Sequence, residues 1–128
     1  MVQSLNTKID LTVKATAFTG LSEYGNIMIG DKAFEFYHRR DPRKYIQIPW
    51  DEVDYVIASV LFGGRWIPRY SIQTKKDGTF TFASEDPKKT LKAIRVYIDG
   101  QKMVRSLGFF DVLKRAFIRP KRNNSRRT

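Results

Sequence analysis

Apolar and polar residues alternate without a break from Ile9 to Ala17, with five apolar positions separated by four polar ones. A period of two is typical of a β-strand that buries one face. Shorter apolar runs bounded by Gly, Pro and Asp residues follow it at close spacing. The pattern predicts seven strands, at residues 9–17, 26–29, 33–37, 45–48, 53–62, 66–74 and 79–83.

Glycine-containing segments separate these strands. Residues 20–25 read as a loop, and Gly63-Gly64 as a tight hairpin turn, because glycine adopts positive φ without steric cost. Asp77-Gly78 is a second hairpin signal. Within strand 66–74 we expect Trp66 and Tyr70 in the core, and within strand 33–37 we expect Glu35 to point outward.

Helical spacing replaces the strand pattern after residue 84. Acidic residues and Pro87 form a helix start, and Leu91, Ile94 and Ile98 share one face. We predict a helix over residues 87–98 and a last helix from about Ser106 to 118. Residues 121–128 lack apolar side chains and are predicted to be disordered.

This order of elements predicts a mainly β protein with C-terminal helices. Seven short antiparallel strands would bend into a barrel, and the helix at residues 87–98 would cap its open end. The order resembles that of pleckstrin-homology (PH) domains and their bacterial GRAM-like versions. We divide the chain into a PH-like domain, residues 1–100, and a basic amphipathic helix with a disordered tail, residues 101–128.

Positive charge is concentrated in that second part. Residues 1–100 contain 15 Lys or Arg and 12 Asp or Glu, whereas residues 101–128 contain nine Lys or Arg and Asp111 alone. A nearly neutral body with a basic, partly apolar end indicates an anionic partner. The chain has no cysteine, which excludes disulfides and thiolate metal sites.

The C-terminal segment holds the candidate binding residues. On a helix from Ser106 its apolar side chains share one face and its basic side chains lie mainly on the other. Such a helix would dock on an anionic membrane or on a permease; alternatively, the apolar face packs on the domain. The candidate residues are Arg105, Phe109, Phe110, Leu113, Lys114, Arg115, Phe117, Arg119, Lys121 and Arg122.

Other candidate groups have simpler explanations. The single histidine, His38, has the chemistry of a phosphoryl carrier but is expected to be an exposed loop residue. The acidic residues 51, 52 and 54 are interpreted as solvated charges rather than an acid–base pair. The basic and aromatic residues at 65–70 would suit base stacking, or an ordinary hairpin. We expect no catalytic residue, metal or cofactor.

Several segments resemble one small bacterial family, a domain of unknown function called ManO-like, which is encoded beside mannose-class permeases of the sugar phosphotransferase system. The resemblance covers about residues 5–118 and implies a cytoplasmic protein linked to sugar uptake, with no established activity. The segments that carry it are residues 11–16 (LTVKAT), 21–25 (LSEYG), 29–37 (IGDKAFEFY), 48–50 (IPW), 53–60 (VDYVIASV), 66–70 (WIPRY) and 106–111 (SLGFFD).

Two functions remain open at this stage. The first is a non-catalytic accessory or regulatory protein of a mannose-class phosphotransferase system, expected in the cytoplasm, where it could lie at the inner face of the cell membrane. Its partners would be permease components or the anionic membrane surface. The second is a nucleic-acid-binding regulator that uses the Arg-rich end, consistent with a pI of about 10.1. An enzyme is disfavoured because no nucleophile–base set is evident.

Overall fold

The structure is a computed structural model, and it describes residues 2–106. These residues form one eight-stranded sheet and one α-helix. The strands are β1 (Ile9–Thr19), β2 (Leu21–Gly30), β3 (Ala33–His38), β4 (Tyr45–Pro49), β5 (Val53–Ser59), β6 (Tyr70–Thr74), β7 (Thr79–Ser84) and β8 (Met103–Ser106), and the helix is α1 (Pro87–Arg95).

The strand order in the sheet is β4-β3-β2-β1-β7-β6-β5-β8. All neighbours are antiparallel except β5 and β8, which are parallel. No pairing joins β4 to β8 within the described part of the chain, so the sheet is open rather than closed into the predicted barrel, and it has eight strands rather than seven. The prediction of a mainly β protein is confirmed, and each of the seven predicted strands overlaps an observed one.

Strand directions place the connections at two ends of the sheet. The β1–β2, β3–β4 and β6–β7 turns lie at one end, because β1, β3 and β6 all run toward it. The β5–β6 connection and the end of β8 lie at the opposite end.

Two predicted connections differ from the structure. Residues 21–25 belong to β2 rather than to a loop, since Gly20 alone makes the turn, at φ +97°, and Thr19 pairs with Leu21. The predicted Gly63-Gly64 hairpin is instead a ten-residue connection, because β5 ends at Ser59 and β6 begins at Tyr70. Both glycines do adopt positive φ, but within a short 3-10 turn.

The chain returns to the sheet after the helix, which corrects the prediction of helices alone at the C-terminus. Met103–Ser106 pairs in parallel with β5, so the sheet extends past the predicted boundary at residue 100. Four residues are too few to show a strand period, which is why the pattern missed β8. The predicted last helix lies outside the described residues, except for Ser106, which ends β8.

The core lies between the curved sheet and α1. Ile94 of α1 is fully buried among Val13, Ile27, Phe34 and Phe82, and the helix packs against β1, β2 and β7. The helix predicted at residues 87–98 is therefore present, although it ends at Arg95. It removes the apolar end of the sheet from water, as the amphipathic spacing requires.

Candidate membrane- and partner-binding surface

The β5–β6 connection, residues 60–69, presents two aromatic rings to solvent, and we call it the aromatic loop. Phe62 is 74% exposed and Trp66 is 52% exposed, and their rings stack with centroids 6.0 Å apart at 15°. The expectation that Trp66 lies in the core is therefore wrong, whereas Tyr70 is buried as predicted. The sequence pattern places Phe62 within a buried strand, and this prediction is wrong as well.

Backbone bonds explain the shape of this loop. The Leu61 N–H donates to the Trp66 carbonyl at 2.9 Å, and the Trp66 N–H donates back at 3.2 Å. The four residues enclosed by this bridge turn sharply, with φ of +55° at Phe62 and positive φ at both glycines. Positive φ is costly for a bulky residue. Strained backbone of this kind is concentrated at binding and active sites, where the surrounding structure holds it in place.

The described residues end in β8, beside the aromatic loop, and the basic C-terminal segment follows them in sequence. The Val60 N–H donates to the Ser106 carbonyl at 3.1 Å, and Ser106 lies opposite Ser59 in the parallel pair. Arg105 lies in β8 with an exposed side chain. The other predicted binding residues, Phe109, Phe110, Leu113, Lys114, Arg115, Phe117, Arg119, Lys121 and Arg122, lie outside the described residues.

Two arginines flank the exposed rings. Arg65 is exposed at the tip of the aromatic loop. Arg69 places its guanidinium 4.1 Å from the centroid of the Phe18 ring, a cation–π arrangement that holds the side chain against the outer face of β1. The aromatic loop and the end of β8 thus combine exposed aromatic rings with cations.

His38 is less accessible than the sequence predicts. Its side chain is 19% exposed, and Nδ1 accepts hydrogen bonds from the backbone N–H groups of Arg40, at 3.1 Å, and Asp41, at 2.9 Å. Nε2 lies 3.8 Å from a carboxylate oxygen of Glu23. The ring is a cap for the β3–β4 loop, because its Nδ1 lone pair is occupied by that loop's backbone.

The turn end of the sheet carries a small charged cluster. Glu23 accepts a hydrogen bond from the Lys44 ammonium at 2.9 Å and another from the Thr19 hydroxyl at 2.9 Å. The bond from Lys44 is the main reason that the pKa of Glu23 lies below its usual range. The β1–β2 turn has no basic residue of its own, and its acid is already paired with a neighbouring loop.

The acidic residues near Trp50 do not converge. Asp51 and Glu52 lie in a 3-10 turn rather than on a strand, and Asp54 follows in β5. Among residues 2–106 no group of three or more possible ligands could hold a metal ion. These side chains are solvated charges in the folded structure, as the sequence predicts for the cluster.

Glu35 of β3 is fully buried although its side chain leaves the outer face of the sheet. Its carboxylate accepts hydrogen bonds from the Ser4 hydroxyl at 2.6 Å, the Leu5 N–H at 2.7 Å and the Asn6 side-chain amide at 3.0 Å. A fourth comes from Gln47 at 3.3 Å. Glu35 points outward as predicted, but residues 4–6, the N-terminal strap, cover it and keep it from solvent. This carboxylate anchors the strap rather than serving as a base.

Residues 1–117 match the sequence model of one protein family, described as "Domain of unknown function (DUF956)". The chain belongs to this family. The match includes the described sheet and helix and continues past Ser106 into the C-terminal segment. No match was found among curated proteins.

The fold also has a counterpart among solved structures. One is titled "Crystal structure of the C-terminal domain of an unknown protein from Leishmania infantum". The likeness has a TM-score of 0.61 at 13% sequence identity and covers 70% of this chain and 82% of the other. At this identity the likeness concerns the fold alone. Within residues 2–106 of this DUF956 protein, no helix is long and apolar enough to cross a membrane.

Proposed function

We propose that this protein is a non-catalytic accessory or regulatory component of a mannose-class sugar phosphotransferase system. It attaches to the inner face of the membrane, beside the permease, through the aromatic loop and the basic C-terminal segment together. The observation that carries the proposal is the position of Phe62 and Trp66. The loop that carries these exposed rings is hydrogen-bonded to Ser106, which directly precedes residues 107–128 in sequence.

The chemistry of this end suits a membrane surface. Aromatic rings bury apolar area at the level of the lipid headgroups, and tryptophan also offers an N–H donor there. Basic residues near an anionic surface contribute about 1 kcal/mol each. Stable attachment commonly requires two signals, and apolar rings with a polybasic segment are such a pair.

The connection with sugar uptake comes from the resemblance to ManO-like proteins. The eight strands and the covering helix support a binding module of the PH or GRAM-like type, which we include in the proposal. The hydrogen bonds of Glu35 and His38 favour a non-catalytic role, since both side chains are used to hold backbone segments in place.

Nucleic-acid binding is the second candidate, and the aromatic loop is also the observation that favours it. Exposed Phe62 and Trp66 beside Arg65 are the residue types on which single-stranded bases stack. The two functions differ in what they require. Membrane docking depends on burial of the aromatic rings even when every charge is kept, whereas nucleic-acid binding depends mainly on the cations. The affinity for nucleic acid therefore falls steeply as the salt concentration rises.

Sedimentation with lipid vesicles tests the membrane proposal. We expect the full chain to sediment with vesicles containing anionic lipid and not with neutral ones, less strongly as salt rises. The Phe62→Ser, Trp66→Ser double variant keeps every charge. Full burial of a large apolar side chain is worth about 1.5–3 kcal/mol, and these rings are partly exposed, so binding should fall by at least about tenfold.

The control is Leu21→Ser, because Leu21 is 81% exposed but is the first residue of β2, which β1 and β7 separate from β6. Its vesicle binding should equal that of the unaltered protein. Deletion of residues 107–128, which leaves β8 intact, should abolish binding. Equal binding of the Phe62/Trp66 variant, or equal loss in the Leu21 variant, would remove the aromatic loop from the mechanism.

The transport role needs a separate test in cells. Affinity capture at native expression, with the full chain and with the chain lacking residues 107–128, should recover permease components only with the full chain. Recovery of nucleic acid in place of permease, sensitive to nuclease, would favour the second candidate.

A further inference from the structure

An apolar groove lies on the inner side of the sheet, beside β8. It occupies about 330 Å³ between β5, β8, α1 and the aromatic loop. Its apolar walls come from all four elements: Ala58, Val60, Ile67, Leu91 and Met103. A cavity of about 150 Å³ accommodates a benzene ring, so this groove has room for about two aromatic side chains.

The chain itself runs along the wall of this groove just before its last described residue. Met103 and Arg105 line the groove, and Ser106 follows directly. Residues 107–128 continue from that point and begin with Leu107, Phe109 and Phe110. Gly108 lies between them, and its backbone accepts the conformations that a sharp reversal requires. Ser106 alone thus separates the last residue that lines the groove, Arg105, from the apolar side chain of Leu107 in sequence.

Charge at the rim is opposite to that of one residue of the same segment. Arg95 of α1 and Arg105 of β8 stand at the groove's edge, and neither forms an ion pair with another residue of the described chain. Asp111 is the only acidic residue among residues 107–128. It lies among the apolar residues 109–113, and two basic residues follow them in sequence.

The family match includes most of the same segment. The DUF956 match ends at residue 117 rather than at the end of β8, so residues 107–117 belong to the same sequence unit as the sheet. The last residues, which are basic and lack apolar side chains, lie beyond it.

We infer that residues 107–118 dock in the apolar groove of their own domain, with phenylalanine rings inside it and Asp111 at the Arg95–Arg105 rim. Docking and membrane attachment then compete for the same rings. The docked state withholds them, and an anionic surface draws them out. The docking does not depend on the function proposed above, whereas the competition does.

Disulfide trapping tests the docking directly, because the chain has no cysteine of its own. Ala58→Cys, whose side chain faces the groove, is combined in turn with Phe110→Cys, Leu113→Cys or Phe117→Cys. Under mild oxidation at low protein concentration, at least one pair should form an intramolecular disulfide rapidly. Mapping by mass spectrometry identifies it.

The matched control is Ile57→Cys with the same three partners. Ile57 is the preceding residue of β5, so its side chain projects from the other face of the sheet. We expect its pairs to cross-link at least about tenfold more slowly. Equal rates from the two faces would overturn the proposal, as would disulfides only between two molecules, which would mean that the groove receives the segment of a second copy.

Vesicle binding tests the competition. Ala58→Gln places a longer polar side chain in the groove and leaves the segment unchanged, so it should strengthen binding to anionic vesicles several-fold, while Ile57→Gln should not. Unchanged or weaker binding by Ala58→Gln, with folding verified by its thermal transition, overturns the competition. Cross-linking from Ala58 without any vesicle binding by the unaltered protein would support the docking and refute the membrane function instead.

Discussion

Replacing Glu35 by glutamine should destabilise the protein by loosening the N-terminal strap. The substitution keeps the shape of the side chain but replaces one acceptor oxygen by an NH₂ group. One oxygen now accepts from Ser4 and Asn6, and the other accepts from Leu5 and Gln47. A glutamine can satisfy only one of these two donor pairs.

The most favourable arrangement places the new NH₂ toward Ser4, because a hydroxyl can reverse and accept a hydrogen bond. The Asn6 amide then loses one partner but keeps the Ala33 carbonyl at 3.1 Å. The remaining bonds to the new carbonyl lose their charge-assisted character. A hydrogen bond to a charged group contributes about 1.5–3 kcal/mol and a neutral one about 0.5–1.5 kcal/mol. The free energy of unfolding should therefore fall by about 2–3 kcal/mol.

Urea denaturation measures this change, and hydrogen exchange at the Leu5 N–H locates it. Exchange there should accelerate, whereas the exchange of β7 at the centre of the sheet should change only through global unfolding. Glu52→Gln is the control: Glu52 is partly exposed, and no side-chain hydrogen bond holds it within the described residues. A free energy of unfolding for Glu35→Gln within about 0.5 kcal/mol of that of the unaltered protein would refute the anchoring role.

Three further substitutions test the packing of α1, the contact between β2 and β3, and the hydrogen bonds of Asp31. Ile94→Asp buries a charge without a partner in the core and should abolish the cooperative thermal transition; an unchanged melting temperature would show that α1 does not cover the core. Gly25→Ala would place a Cβ 2.1 Å from the Tyr37 carbonyl oxygen, so β2 and β3 must shift, and denaturation should show a loss of about 1–3 kcal/mol or more. The hydrogen bond from the Thr7 hydroxyl is the main reason that the pKa of Asp31 falls to about 2. Asp31 therefore stabilises the fold above pH 3.8, and this contribution is lost as the pH falls toward 2. Asp31→Asn should remove that part of the acid dependence in urea titrations at pH 4 and pH 2, and identical pH profiles would contradict the assignment.

Local periodicity determined much of the fold. The alternation at residues 9–17 predicts β1 because a strand with one buried face requires apolar side chains at every second position. The spacing of Leu91 and Ile94 predicts α1 and its buried side for the corresponding reason. The concentration of charge after residue 100 is likewise a property of the sequence alone.

Only the tertiary structure decided what covers each face. Glu35 alternates correctly with Phe34 and Phe36, yet it is buried because a strap about 30 residues earlier in the chain donates hydrogen bonds to it. Trp66 is exposed because it lies in the connection between β5 and β6, which a backbone bridge to Leu61 closes, and not in β6 itself. The strand β8 exists because β5 offers it an unpaired edge. A sequence pattern shows which side of an element is apolar, but burial depends on the distant segment that packs there, and no local period encodes that partner.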